Sequence, residues 1–219
     1  MGQIRQRLEA LRDSLGEIQT NPNHPNAWRN VEFCYLQIRK ICECIALSIL
    51  AAHGGAAEIL TEDLRKEWNA GAIFGRLKSL NPNFMPRSAQ FEVSDTGVHH
   101  AIPRKVNPTA DELILMYNQC GEQLHIGSLK SLIREKQPFL VEQVMNFNNR
   151  VVGWLESHLI FLPEYDSVLI CALRASPSEE VRCHFADGIP PEMAGIGPEK
   201  IAYSIDHETW PTNKQLGEK

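Results

Sequence analysis

Glu32, Arg39 and Glu43 stand inside the otherwise apolar stretch EFCYLQIRKICECIALSILAAHG. At about 100° per residue in a helix, the three fall within roughly 20° of one direction. Leu36, Leu47 and Leu50 lie close to that line. A wide apolar stripe of Val31, Cys34, Tyr35, Ile38, Ile41, Cys42, Ile45 and Ile49 flanks it. The polar arc of Arg29, Asn30, Gln37, Lys40, Cys44 and Ser48 reads as solvent-facing. The stretch is therefore a central helix with charges at the edge of the core, where an ion must be paired or hydrogen-bonded. Arg39 and Glu43 are an i,i+4 pair and Glu32 lies two turns back, so the expectation is an arginine held from both sides. Held in that way, Arg39 is a phosphate or carboxylate contact. A structural ion network alone satisfies the same pattern.

The segment CGEQLHIGSLKS holds the second group of interest, Cys120, Gly121 and His125. His125 lies about 100° from the face made by Leu113, Cys120 and Leu124, above Gly121 and near Ile114. A glycine one turn before a histidine leaves room for a group to approach the ring. His125 then reads as a general base or a phosphate contact acting with Arg39. The alternative is a histidine bonded to a neighbouring helix. Arg39, Glu43, Glu32, Cys120, Gly121 and His125 form the candidate binding set. His125 and Arg39 are the catalytic pair if the protein is an enzyme. The six cysteines contain no CxxC pair, which argues against a zinc knuckle and a disulfide framework. No metal and no cofactor is expected, because phosphate-binding loops, dinucleotide glycine motifs, GxSxG and HExxH are all missing from the sequence.

Helical periodicity supplies the elements that must position these residues. A first helix over 3–19 buries Ile4, Leu8, Leu11, Leu15 and Ile18. Asn26 caps the long charged helix, and Gly54-Gly55 ends it. A short helix runs from Thr61 to Trp68, and AGAIFGRLKSL forms another, stopped by NPNFMP. Residues 81–108 hold four prolines and little periodicity, so a long loop is expected. The TADE sequence at Thr109–Glu112 is a capping box. It opens a helix closed by Gly127, and Ser128 starts a further helix to about Lys136. Pro138 begins the last long helix, which reaches Phe161 with Trp154, Leu155 and His158 facing inward. From Pro163 the period changes to two, and SVLICALR, EVRCHFA and KIAYSID read as three strands. The fold class is mainly α: a helical bundle over 1–160 with a small C-terminal antiparallel β-meander in 161–219 that ends in a polar tail.

Charge narrows the partners. Residues 1–160 carry 17 acidic and 17 basic side chains, and residues 161–219 carry 10 and 5, so the second part holds the whole net charge of −5. That balance lacks the basic surface of a general nucleic-acid binder. No apolar run approaches the ~18 residues of a membrane span, and the first 19 residues lack the apolar core of a signal peptide. Scattered free cysteines suit a reducing cytoplasm.

A two-long-helix bundle with a charged line on one helix and a histidine at the end of another resembles the HEPN superfamily. The segments LQIRKICE and YNQCGEQLHIGSL carry the resemblance, which spans about residues 25–160 and is to a group of uncharacterised bacterial members. It implies a homodimer with the His125 helix near the interface. It also implies a bacterial defence or toxin setting, with RNA, a nucleotide or a protein as partner. Active HEPN ribonucleases carry an arginine four to six residues before the histidine. Here Cys120 and Gly121 occupy that place. The missing cation leaves in-line attack by a ribose hydroxyl without its main phosphate stabiliser, so the resemblance points to a catalytically silent binding module. The alternative is a metal-independent RNase in which Arg39 serves in place of the absent arginine.

Overall fold

The computed structural model describes residues 1–25, 27–53, 62–93, 99–104, 107–125, 141–162, 167–173, 181–187 and 201–203. The expected Asn26 cap, the Gly54-Gly55 stop, Thr61, Gly127, the Ser128–Lys136 helix and Pro138 lie outside these residues. Six helices are described: α1 (Gly2–Thr20), α2 (Ala27–Ala52), α3 (Glu62–Lys66), α4 (Ala70–Leu80), α5 (Ala110–Leu124) and α6 (Val141–Leu155). With them goes an antiparallel sheet of β1 (Arg87–Val93), β2 (His99–Pro103), β3 (Ser157–Leu162), β4 (Ser167–Ala172), β5 (Arg182–Asp187) and β6 (Ile201–Tyr203). The class is the expected one, mainly α with an antiparallel sheet.

The helical core follows the sequence periodicity closely. Ile4, Leu8, Leu11, Leu15 and Ile18 of α1 are buried against Cys34, Ile38, Ile41, Ile45 and Ile49 of α2. Leu113, Tyr117 and Cys120 of α5, Val144, Phe147, Val151 and Trp154 of α6, and Ile73, Phe74 and Leu77 of α4 belong to the same cluster. Full burial of an aliphatic or aromatic side chain contributes about 1.5–3 kcal/mol, so this cluster is the main source of stability. The capping box forms as read. Thr109 Oγ1 accepts from the Glu112 amide at 3.2 Å, and Glu112 Oε2 accepts from the Thr109 amide at 2.7 Å. Arg150 of α6 adds a 3.0 Å bond to the other Glu112 oxygen, and these bonds hold the carboxyl below its usual pKa.

Three expectations about the elements are corrected. Residues 81–108 are not one loop, because they contain β1 and β2, paired from Ala89↔Pro103 to Val93↔His99. The strand RSAQFEV has little β-branched character, and its pairing is imposed from far along the chain by β3, through Arg87↔Leu159 and Ser88↔His158. Helix α6 ends at Leu155 rather than reaching Phe161, so His158 lies on a strand. Trp154 Nε1 donates to Pro86 O at 2.9 Å, and the Leu173 amide donates to Glu156 O at 2.9 Å, fixing the chain as it leaves the helix. A short apolar run such as SHLIFL cannot be assigned to helix or strand by periodicity. Finally, SVLICA and RCHFAD pair as expected, but β6 joins β2 on the opposite edge, giving the order β5-β4-β3-β1-β2-β6. The sheet is therefore larger than a C-terminal meander and draws its strands from both halves of the chain.

His158 is buried, and its Nδ1–H donates to Leu155 O at 3.1 Å. Burial pushes its pKa down from 6.5 to about 4. Between those pH values the unfolded chain takes up a proton that the folded protein refuses. Stability present above pH 6.5 is thus lost as pH falls through 4. At about 1.4 kcal/mol per pH unit, the loss attributable to this one group is about 3 kcal/mol. Urea melts at pH 7 and pH 4.5 should show this drop, and His158→Gln should flatten it. Equal pH dependence in the two proteins would contradict the assignment.

Candidate functional site

The charged line of α2 emerges where α2 packs on α5. Arg39 Nη2 donates to Tyr117 Oη at 2.7 Å, and the guanidinium carbon lies 4.0 Å from the centroid of the Tyr117 ring. Arg39 Nε faces Glu43 Oε1 at 3.6 Å, and Lys40 Nζ donates to Glu43 Oε2 at 2.7 Å. The Arg39 side chain is 18% exposed and that of Glu43 11%. A half-buried guanidinium is thereby neutralised, hydrogen-bonded and stacked at once. Partial desolvation makes the cation–π contact worth about 1–2 kcal/mol here. Burial raises the Tyr117 pKa, with Arg39 opposing and Glu43, Cys42 and Glu67 adding to the rise, so the hydroxyl stays protonated.

Gly121 is what admits the arginine. A Cβ built on it would overlap Arg39 Nη1. Tyr117 and Gly121 are one turn apart on the same face of α5, so the glycine opens a slot over the tyrosine ring. The space expected to serve approach to His125 is filled by Arg39 instead. His125 is the C-cap of α5; its amide donates to Gly121 O at 3.0 Å. The residue is exposed, one turn and roughly 6 Å along the axis beyond Gly121. Its ring has no hydrogen bond or ion pair among the described residues.

The remaining candidates divide. Glu43 belongs to the cluster. Glu32 does not: it is exposed and makes no ion pair among the described residues, so the network is Lys40–Glu43–Arg39–Tyr117. Cys120 is fully buried, and burial pushes its thiol up to about 12, which makes it a small core residue facing Cys42. Tyr117 is the residue sequence reasoning missed, because it sits on the apolar face of α5 and reads as core. The signal that could have found it is a tyrosine followed one turn later by a glycine.

The polar arc of α2 is also corrected. Gln37 is buried, and Asn30, Lys40, Cys44 and Ser48 are half-buried. Helix α1 covers much of this arc with its own polar groups: Arg7 Nη1 donates to Gln37 Oε1 at 3.1 Å and Asn30 Nδ2 to Glu17 Oε2 at 2.8 Å. At its ends α2 exposes Trp28, Arg29 and Ala51, and along its middle it leaves to solvent Glu32 with Phe33 at 39%, Leu36 at 39% and Leu47 at 43% exposure. These apolar residues flank the Arg39–Glu43–Lys40 cluster.

Among the described residues no group of three or more His, Cys, Asp or Glu is arranged to hold a metal, and no helix is long and apolar enough to cross a membrane. In comparisons with protein-family models, curated proteins and solved structures, nothing matches this chain. The HEPN resemblance therefore rests on the residues alone.

Gly121→Ala should expel the guanidinium from its slot and cost about 1–3 kcal/mol, the usual range for overpacking. In an Arg39→Met background the same change should cost at least about 1 kcal/mol less, since the side chain it collides with has lost its fork. Chemical denaturation of the four proteins in this cycle gives both numbers. Additive costs would mean that Gly121 is not making room for Arg39.

Proposed function

We propose that this protein is a non-catalytic, HEPN-like recognition module that forms a homodimer through the outward face of α2. The observation that carries the reading is the exposed row of Phe33, Leu36 and Leu47 beside a fixed cluster of both charge signs. Leu36 and Leu47 are eleven residues apart, about 16 Å along the helix. Arg39, Lys40 and Glu43 lie between them. A patch with apolar ends and mixed charges in the middle is complementary to itself under a two-fold rotation, the commonest symmetry of soluble oligomers. A protein surface fits this chemistry better than a phosphate backbone, because the helical part of the chain has no net charge to offer. The free thiols suit a reducing cytoplasm, and a bacterial defence or toxin setting follows from the resemblance.

RNA or a nucleotide is the second reading, favoured by one observation. Arg39 Nη1 has no hydrogen bond among the described residues, and the exposed His125 ring lies one turn from it along α5. A phosphate between them would meet one fixed cation and one titratable donor. Cleavage is less well supported than binding. A general base needs an orienting partner, and His125 has none among the described residues, while Arg39 is turned toward Tyr117.

Light scattering at micromolar concentration should give twice the chain mass. Leu36→Glu combined with Leu47→Glu should give a folded protein of one chain mass. A wild-type monomer, or a dimer that survives both charges, would contradict the α2 interface. A metal-free ribonuclease assay should find no cleavage; cleavage that disappears in His125→Ala would establish the enzyme instead.

A further inference from the structure

A second group of reactive side chains lies on the sheet, apart from the α2–α5 seam. Register places His158 of β3 opposite Cys171 of β4, and Cys171 opposite Cys183 of β5. Side chains directly opposite one another on neighbouring strands share a face, so the three form a row. They line a cavity of about 340 Å³ whose other walls include Ile45, Ile49, Leu155, Ile160 and Leu169. Ile160 and Leu169 are themselves a register pair, two residues along from His158 and Cys171, so one sheet face builds the apolar floor. Cys171 is buried at 2% exposure, whereas Cys183 is exposed, on the edge strand β5.

We propose that Cys171 and Cys183 form a dithiol that reacts with small organic hydroperoxides admitted by this apolar cavity and closes reversibly to a cross-strand disulfide. The two thiols have distinct roles. Cys171 donates its S–H to Cys183, and this bond lowers the Cys183 pKa to about 7 while that of Cys171 is raised. Cys183, exposed on the edge strand, is the thiolate that attacks, and buried Cys171 is the thiol that resolves. In the first step the Cys183 sulfur takes the terminal oxygen of ROOH and the O–O bond breaks. Cys183 becomes a sulfenic acid, and the alkoxide leaving group takes a proton from water to give ROH. In the second step the Cys171 sulfur attacks the Cys183 sulfur. Hydroxide leaves and combines with the Cys171 proton as water. The sulfur pair loses two electrons and the hydroperoxide gains them. Directly opposed residues have Cβ atoms about 4.5–5.5 Å apart, and a disulfide brings them to about 3.5–4.5 Å. An edge strand, held on one side only, can make that approach. A bond closed under such a constraint is readily reduced by small thiols. The buried thiols Cys34, Cys42 and Cys120 have pKa values pushed well up and do not compete.

The test uses the full chain, reduced and then treated with one equivalent of cumene hydroperoxide at pH 7. Intact mass should fall by two hydrogens, peptide mapping should join Cys171 to Cys183, and dithiothreitol should restore the starting mass. Cys183 should react about tenfold faster than the half-buried Cys44 of the same molecule, a comparison that needs no variant. Cys171→Ser should stop at the sulfenic acid, trapped on Cys183 by dimedone. Cumene hydroperoxide should act severalfold faster than hydrogen peroxide. Equal rates at Cys183 and Cys44, or no dimedone adduct in a folded Cys171→Ser protein, would overturn the dithiol. Equal rates for the two peroxides would overturn the cavity as its entry.

Discussion

A guanidinium near the edge of a core must be neutralised, hydrogen-bonded and packed, and Arg39 meets all three demands at the contact of two helices. Glu43 supplies the countercharge from its own helix, Tyr117 supplies both an acceptor and a ring face, and Gly121 supplies the space. Each contribution fixes something larger. The i,i+4 spacing sets which face of α2 turns toward α5. The tyrosine–glycine pair sets the height at which α5 crosses it. His125 follows at a fixed distance because it ends the same helix. The arrangement orders a cation before any ligand arrives, which is what a recognition site requires of a flexible side chain.

The same constraint decides the surface. With α1 covering much of the polar arc of α2 and α5 taking the arginine, the face left open is the one that carries Phe33, Leu36 and Leu47. Beside the ordinary apolar buried stripe of α2, Gln37 turned inward and Leu36 and Leu47 turned outward are the reverse of what a solitary helix would show. Of the inward polar groups, Gln37, Asn30 and Cys44 find partners on α1, and Lys40 finds Glu43 on α2 itself. The outward apolar groups are not covered among the described residues, and it is on this face that the proposed homodimer rests.

The parts legible in sequence were those governed by local periodicity. Ile4, Leu8, Leu11, Leu15 and Ile18 at helical spacing identified the buried face of α1, and Thr109 with Glu112 identified the start of α5. Features settled by distant partners were not legible. RSAQFEV becomes a strand because β3 lies beside it, and SHLIFL becomes that strand because Trp154 and Glu156 anchor the helix end that precedes it. Within the site, the Arg39–Glu43 pair was readable from spacing. Glu32 shared their line but not their environment, since helical phase says nothing about which stretch of a line another helix will cover. Tyr117 was hidden because a ring buried in the core and a ring stacked on a cation occupy the same helical phase.

The central claim is that the Arg39 guanidinium is immobile in the free protein, stacked on Tyr117. Proton–nitrogen correlation spectra of the arginine side chains test this most directly. Arg39 should show separate, slowly exchanging Nη signals and an upfield ring-current displacement that vanishes in Tyr117→Leu. A single averaged Nη signal at the position of a solvent-exposed arginine, unchanged by that substitution, would contradict the account.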